Sequence, residues 1–339
     1  MFLTICQQAG RLHNLSSLRR IFSLLICFLT SCAPVQTPQT FPTPTHTFII
    51  QTQSTSTRFL PPTSASTPVP PAQTATPPPC DPSITDFCIT DGHFLFQQPI
   101  LPPANTSIDR TYRFASTANG TRDPHRGVEF LNKFGTPLFA AGEGTVIFAG
   151  PDEQAVYSPW RNFYGNLVVI EHADSLYTLY AHLSEIKVDP GQHVSAGDQI
   201  GAVGQTGVAI GSHLHFEVRR GDVEDYLSPQ NPELWLVPNQ DETGRLLGAL
   251  QLSVVDSTGQ FVNRAEYTLE HFPDGTQPSD AIQYEVTYAA ELLHGEENAG
   301  ISDLVPGIYR LALTYNGHIH ERWVEVESGR LTQVVIVVN

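Results

Sequence analysis

The sequence predicts an all-β protein with two β domains in series behind a long non-globular N-terminal stretch. Three observations predict it. Between residues 110 and 232, β-branched and aromatic clusters such as Thr145-Val146-Ile147-Phe148, Leu167-Val168-Val169-Ile170 and Tyr177-Thr178-Leu179-Tyr180 are separated by glycine turns. From residue 245 to 339, alternating runs such as Leu250-Gln251-Leu252-Ser253-Val254 are bounded by turn signals at Asp256-Ser257-Thr258-Gly259, Pro306-Gly307 and Asn316-Gly317, and the chain closes on the apolar run Val334 to Val338. No apolar stripe of helical period runs for three turns or more between residues 110 and 232. At 339 residues the chain exceeds one ordinary compact unit, which fits two folded parts plus non-globular sequence.

At the N-terminus, Arg11, Arg19 and Arg20 precede the apolar stretch Ile21 to Leu29, and Leu29-Thr30-Ser31-Cys32 follows. Basic, apolar and small residues in that order read as a secretory signal, and the stretch is short of the ~20 residues a spanning helix needs. Leu29-Thr30-Ser31-Cys32 looks like a bacterial lipobox, which implies cleavage before Cys32 and a lipid on its sulfur. Residues 1–32 are therefore expected to be a lipoprotein signal peptide, and the protein to be exported and membrane-anchored at the cell surface. An ordinary signal peptide with an incidental cysteine is the alternative.

Residues 33–79 hold 12 prolines, 12 threonines and one charged residue, Arg58. Such a stretch buries too little apolar surface to offset its ordering entropy and is expected to be a disordered linker. Of the five cysteines, Cys6 and Cys27 fall in the segment expected to be removed, and Cys32 would carry the lipid. Cys80 and Cys88 remain, and in an exported protein they are expected to pair across a short loop, with free thiols as the alternative.

The 18 Lys and Arg against 34 Asp and Glu give a net charge of −16. Without a basic run to neutralise phosphates, nucleic acid is not an expected partner.

Reactive side chains concentrate in His125-Arg126-Gly127-Val128-Glu129, Tyr180-Ala181-His182-Leu183 and Gly211-Ser212-His213-Leu214-His215-Phe216-Glu217. Residues two apart on a strand share a face, so His213 and His215 should face a cleft, Leu214 and Phe216 the core, and Glu217 the cleft side or its margin. His182 needs only a neighbouring strand to join them. In a straight strand, four residues separate Cα atoms by ~13 Å, too far for His125 and Glu129 to meet at one ion. The chain is therefore expected to bend between them at Gly127. Two histidines with one carboxylate are an established set for catalytic zinc, which leaves a fourth position to water.

Together with Gly135-Thr136-Pro137, Gly142-Glu143-Gly144-Thr145-Val146, Tyr164-Gly165-Asn166 and Gly191-Gln192-His193-Val194-Ser195-Ala196-Gly197-Asp198, these stretches resemble the M23 (lysostaphin and LytM type) zinc metallopeptidases. Members of that family cut peptide crosslinks in bacterial peptidoglycan. The resemblance runs from about Tyr112 to Pro232 and implies a duplicated-hybrid, barrel-sandwich antiparallel β domain, set at residues 80–240. It further implies Zn2+ held by His125, Glu129 and His215, with His182 and His213 sharing the roles of base and oxyanion partner in an order left open. The implied function is a zinc metalloendopeptidase acting on peptidoglycan peptides, monomeric, with an inert wall-binding or hydrolase-regulating domain as the alternative. The family pattern carries Asp where this chain has Glu129, and the added methylene moves the carboxylate by ~1.5 Å unless the backbone compensates.

Residues 245–339 are expected to form an immunoglobulin-like β-sandwich. Leu304-Val305-Pro306-Gly307-Ile308-Tyr309 and Val324-Glu325-Val326-Glu327-Ser328-Gly329 resemble carboxypeptidase-regulatory-like sandwiches, and a structural role is the expectation. His172 reads as structural or surface and His193 as solvated. His318-Ile319-His320 repeats the His-x-His spacing without a partner set and reads as an exposed strand face.

Overall fold

A computed structural model describes residues 79–339 apart from 280, 293, 294 and 296. The expected signal peptide, its lipobox at Cys32 and the linker up to residue 78 lie outside the described residues. The described residues are nearly all β, with helical conformation only in the short 3-10 turns Ala173–Ser175, Pro232–Leu234 and Ala290–Leu292.

Strand His213–Arg220 is the axis of the first sheet. It pairs with Leu176–Ala181 on one side, and on the other with Val128–Leu131 at its start and Pro229–Gln230 further along; Asn166–Glu171, Gly144–Pro151 and His193–Val194 extend the sheet beyond Leu176–Ala181. A smaller sheet of Pro137–Phe139, Gln199–Ala202 and Glu185–Ile186 lies alongside. The period of two does its expected work here. Val128, Phe130, Leu214 and Phe216 turn inward to a core shared with Leu138, Tyr180 and Ile200, which leaves Glu129, His213 and His215 to the opposite face. Tyr157, Tyr164, Leu167, Val169, Leu179 and Ala181 form a second apolar cluster, contributed by the sheet's other face and the loop before Asn166.

The C-terminal part packs two four-stranded sheets face to face. One runs Cys88–Thr90, Leu331–Val338, Gly248–Asp256, Ala299–Leu304, and the other Ile282–Val286, Glu266–Phe272, Gly307–Tyr315, His318–Val326. Leu250, Leu252, Val254, Val334 and Ile336 from the first meet Leu269, Leu311, Leu313 and Val324 from the second. Two features depart from sequence expectation. Gly248–Asp256 and Leu331–Val338 run parallel, with Ala249 opposite Leu331, inside an otherwise antiparallel arrangement. The segment around Cys80 and Cys88, placed by sequence with the first domain, contributes an edge strand to this second body, with Cys88 opposite Gln333. Cys80 and Cys88 are disulfide-bonded, with Cα atoms 5.8 Å apart. The short Cys88–Thr90 strand covers the free side of Leu331–Val338, whose unpaired amides and carbonyls would otherwise form an open edge.

The two bodies meet on the segment that leads to His125. Arg113 is buried and donates through Nη1 to both oxygens of Glu233, at 2.7 and 2.9 Å, while its Nε lies 3.2 Å from Glu285 Oε1. Beside it, the Phe114 ring meets Tyr288 edge-on at 5.1 Å, in a cluster completed by Ala115 and Leu292.

Candidate metal centre

Register brings the candidate residues together. Glu129 and Ala181 both lie opposite His215, on either side of the same strand, and His182 follows Ala181 directly. His182 has a left-handed backbone, φ 63°, at the point where the chain leaves the sheet, and its amide donates to Tyr164 O at 2.9 Å.

His125 lies ahead of Val128–Leu131, so it and Glu129 are not four residues apart on one straight strand. Its amide donates to Ser116 O at 2.9 Å and its carbonyl accepts from Ala115 N at 2.7 Å, which seats it on the preceding segment. The reason for Gly127 differs from the one sequence suggested. A Cβ there would come within 2.4 Å of the Phe216 carbonyl oxygen and 3.0 Å of the His215 ring, so glycine is required by the close approach of two strands.

His125 Nε2, Glu129 Oε1 and His215 Nδ1 form a triangle with sides of 3.0, 3.2 and 3.1 Å. All three residues are buried, and their ligand atoms make up a metal-competent group. Zinc bonds of ~2.0–2.1 Å in a tetrahedron put neighbouring ligand atoms about 3.3 Å apart, close to these sides. Glu129, one methylene longer than the family's Asp, thus delivers Oε1 to the same triangle as the two rings.

The proton inventory supports the same reading. His125 Nδ1 lies 3.0 Å from Tyr112 O and 3.2 Å from Arg113 O, which can only accept, so Nδ1 carries the proton and Nε2 presents its lone pair inward. His215 Nε2 lies 3.0 Å from Glu217 Oε1, which leaves Nδ1 as the inward lone pair. With both rings neutral, two lone pairs and a carboxylate converge here, an arrangement that a cation stabilises.

The electrostatics point the same way. Burial pushes His215 down, but hydrogen bonds to Glu129 and Glu217 and their charges outweigh it and raise the ring to about 9. Without a metal the His215 ring itself carries the positive charge that these two carboxylates favour; a bound metal ion would take over that role and leave the ring neutral. Glu129, despite the desolvation of burial, is held well below the usual carboxylate range by His125, His213 and His215. Burial lowers His125. Burial, with the charges of His215 and His213, pushes His182 down to about 3.

His182 and His213 flank the triangle, their ring centroids 4.9 Å apart. His182 Nδ1 donates to Thr206 O at 2.9 Å and His213 Nδ1 to Gly211 O at 3.1 Å, so each Nε2 is directed away from its carbonyl anchor. His213 Nε2 lies 2.6 Å from Glu129 Oε2, though outside hydrogen-bonding angles, so that buried oxygen has no hydrogen-bond partner.

Behind His215 is a fully buried polar chain. Glu217 Oε1 also accepts from the Tyr164 hydroxyl at 2.6 Å, and Oε2 accepts from Arg219 Nε at 2.8 Å. Arg219 donates onward to Val223 O, Tyr157 O and the Tyr164 oxygen. Glu217 therefore supports the His215 ring from behind and does not line the centre itself. Arg219 is absent from the motifs, and Tyr164 enters them only within Tyr164-Gly165-Asn166. The signal was present for Arg219: His213, His215, Glu217 and Arg219 put a polar side chain at every second position of a strand whose other members are core.

Two other histidines stay outside the centre. His172 is tied to Glu143 O at 2.7 Å and to the Thr178 hydroxyl at 2.8 Å, and His193 is exposed at the start of its short edge strand. The triangle and both flanking histidines open onto one cleft of about 1040 Å³, rimmed by Tyr112, which stacks on His125 at 4.1 Å, and by Trp160 and Tyr226.

A buried two-histidine, one-carboxylate centre, flanked by two further histidines at the base of a cleft on a β-sheet, is the equipment of a metal-dependent hydrolase. Residues 123–229 match the model of peptidase family M23. Over 119 residues it is 37% identical to the peptidoglycan DD-endopeptidase ShyA of Vibrio cholerae, a match covering 35% of this chain and 26% of that protein. Over 119 residues it is 36% identical to the DD-carboxypeptidase/endopeptidase Mpg of Neisseria meningitidis, covering 35% of this chain and 24% of that one. The match thus spans about a quarter of the length of these curated relatives. Among solved structures, the catalytic domain of lysostaphin from Staphylococcus simulans aligns at 26% identity over 43% of this chain and 89% of that one, with a TM-score of 0.28.

Proposed function

We propose that the protein is a zinc-dependent metalloendopeptidase that hydrolyses peptide bonds in bacterial peptidoglycan, with His125, Glu129 and His215 holding the metal. The observation that carries this reading is the convergence of three ligand atoms 3.0 to 3.2 Å apart in a buried centre. Zinc bound there would polarise the scissile carbonyl and lower the pKa of a bound water towards ~7.

The chain's own groups do the rest. His182, neutral and with its Nδ1 proton committed to Thr206, offers Nε2 as an acceptor for the water's proton. His213, anchored through Nδ1 to Gly211 O and lying 2.6 Å from Glu129 Oε2 through Nε2, flanks the other side of the centre, where it would share with His182 the work of base and oxyanion partner. Tyr112 and the sandwich-anchored segment around Arg113 hold His125 in place. Export and a lipid anchor at Cys32, with the linker as a spacer, would bring this centre to the wall; labelling cells with a clickable palmitate analogue tests the anchor, and an unlabelled protein would refute it.

Zinc content by elemental analysis, measured beside release of peptides from purified peptidoglycan, tests the reading. One zinc per chain, lost together with activity in Glu129→Ala, is the expected result. His182→Ala and His213→Ala should each keep the metal and lose cleavage. Zinc without peptide release, or no zinc at all, would instead favour an inert wall-binding or hydrolase-regulating domain.

A further inference from the structure

We propose that Arg126 is a carboxylate receptor within the cleft, so that the protein selects peptides carrying a free carboxylate next to the bond it cuts. The proposal rests on the hydrolase reading above and names the charge its substrate must bear. Arg126 follows His125 directly and lines the same cleft.

Its surroundings differ from those of the other buried arginines. Arg113 is paired with Glu233, and Arg219 with Glu217. Arg126 is only 7% exposed, yet among the described residues no carboxylate forms an ion pair with it. Its Nε donates to Tyr226 O at 2.8 Å, its Nη1 donates to Pro124 O at 2.7 Å, and its guanidinium carbon lies 3.7 Å from the centre of the Tyr226 ring. Two of five donors are thereby used, and the remaining N–H groups on Nη1 and Nη2 have no acceptor among the described residues.

A guanidinium keeps its charge at any pH a protein meets, and a largely buried one without an ion-pair partner favours an arriving counter-charge. The plane of the fork is set in advance. Tyr226, on which it rests, is held edge-on by Trp160 at 5.6 Å and by Phe163 at 6.3 Å, all three lining the cleft. A planar, pre-oriented fork in a partly desolvated wall is matched by a carboxylate, which can accept two parallel hydrogen bonds from it. A wall peptide offers such a group in two forms, a C-terminal carboxylate or a side-branch carboxylate near the scissile bond.

The test uses one synthetic stem-type peptide in three forms: both carboxylates free, the C-terminal one amidated, or the side-branch one amidated. For the full-length protein, Arg126→Met and Arg126→Lys, kcat/KM is measured, and affinity is measured by calorimetry on chelator-treated protein. Wild type should favour the free form over one of the amides by about 10- to 100-fold, and the amide that loses binding identifies the source. Arg126→Met should erase that preference by losing only on the free form, and Arg126→Lys should keep part of it. Equal handling of all three peptides by wild type, or equal loss on all three in Arg126→Met, would overturn the proposal and leave Arg126 as a staple between Pro124 and Tyr226. Were Arg126→Met not to fold, the wild-type preference and its change in Arg126→Lys still decide. Discrimination in affinity without hydrolysis of any form refutes the hydrolase reading and keeps the receptor; hydrolysis without discrimination does the reverse.

Discussion

Arg113 and His125 are coupled through a single residue's two ends: the Arg113 carbonyl accepts from His125 Nδ1 at 3.2 Å, while its guanidinium is clamped by Glu233 and reaches Glu285 of the C-terminal sandwich. The sandwich therefore borders the metal centre at one remove. Glu233 also accepts from Ser302 N at 2.9 Å, which ties the clamp to a second strand of that body.

Replacing Glu233 by Ala removes the closer of the two counter-charges of buried Arg113 and leaves Glu285 alone, and breaking a buried pair costs about 3 kcal/mol or more. Glu233→Ala should lower the unfolding free energy by that order in urea titrations, and should also weaken zinc binding because the seat of His125 loosens. Destabilisation with unchanged zinc affinity would show that the sandwich does not position the ligand.

Glu217 supports His215 from behind. Glu217→Gln keeps the size and one acceptor but removes the negative charge that fixes the His215 tautomer and balances Arg219. Loss of such a supporting carboxylate lowers metal affinity by about 10- to 100-fold. Competition with a chromogenic chelator reads that loss directly, and an unchanged affinity would mean that Tyr164 and the backbone suffice to orient the ring.

Glu129→Asp reinstates the family's residue on a backbone that here presents the longer side chain. Shortening by one methylene withdraws the carboxylate by ~1.5 Å from His125 and His215. Weaker zinc binding than wild type is expected in the same competition assay. Equal or tighter binding would mean that the strand Val128–Leu131 shifts to compensate.

His172 gives a pH dependence separate from the metal centre. Burial lowers its pKa, partly offset by its bond to the Glu143 carbonyl. Because the folded value lies below the unfolded one near ~6.5, the unfolded chain takes up the proton first as pH falls. Its contribution is therefore fully present above that pH and is lost progressively as pH drops below it. Urea unfolding of chelator-treated protein at pH 7.5 and 5.5 should show a smaller loss on acidification in His172→Gln than in wild type. An identical loss would assign the acid sensitivity to other groups.

The sequence alone determined the β class, the turns and the set of reactive residues, because these depend on periods and residue types that are local. Strand alternation made His213 and His215 legible as one face and Leu214 and Phe216 as the other, and the structure places them so. Tertiary structure decided what depends on register between distant segments. Pairing of Val128–Leu131 with His213–Arg220 put Glu129 opposite His215 and made Gly127 a matter of close approach. Long-range closure likewise set the parallel pairing of Gly248–Asp256 with Leu331–Val338, the transfer of Cys88–Thr90 to the second body, and the clamp between Arg113 and Glu233, whose partners are 120 residues apart. Local patterns state which face a side chain occupies; which faces meet is settled by burial and pairing summed over the whole chain, and no short stretch contains that information.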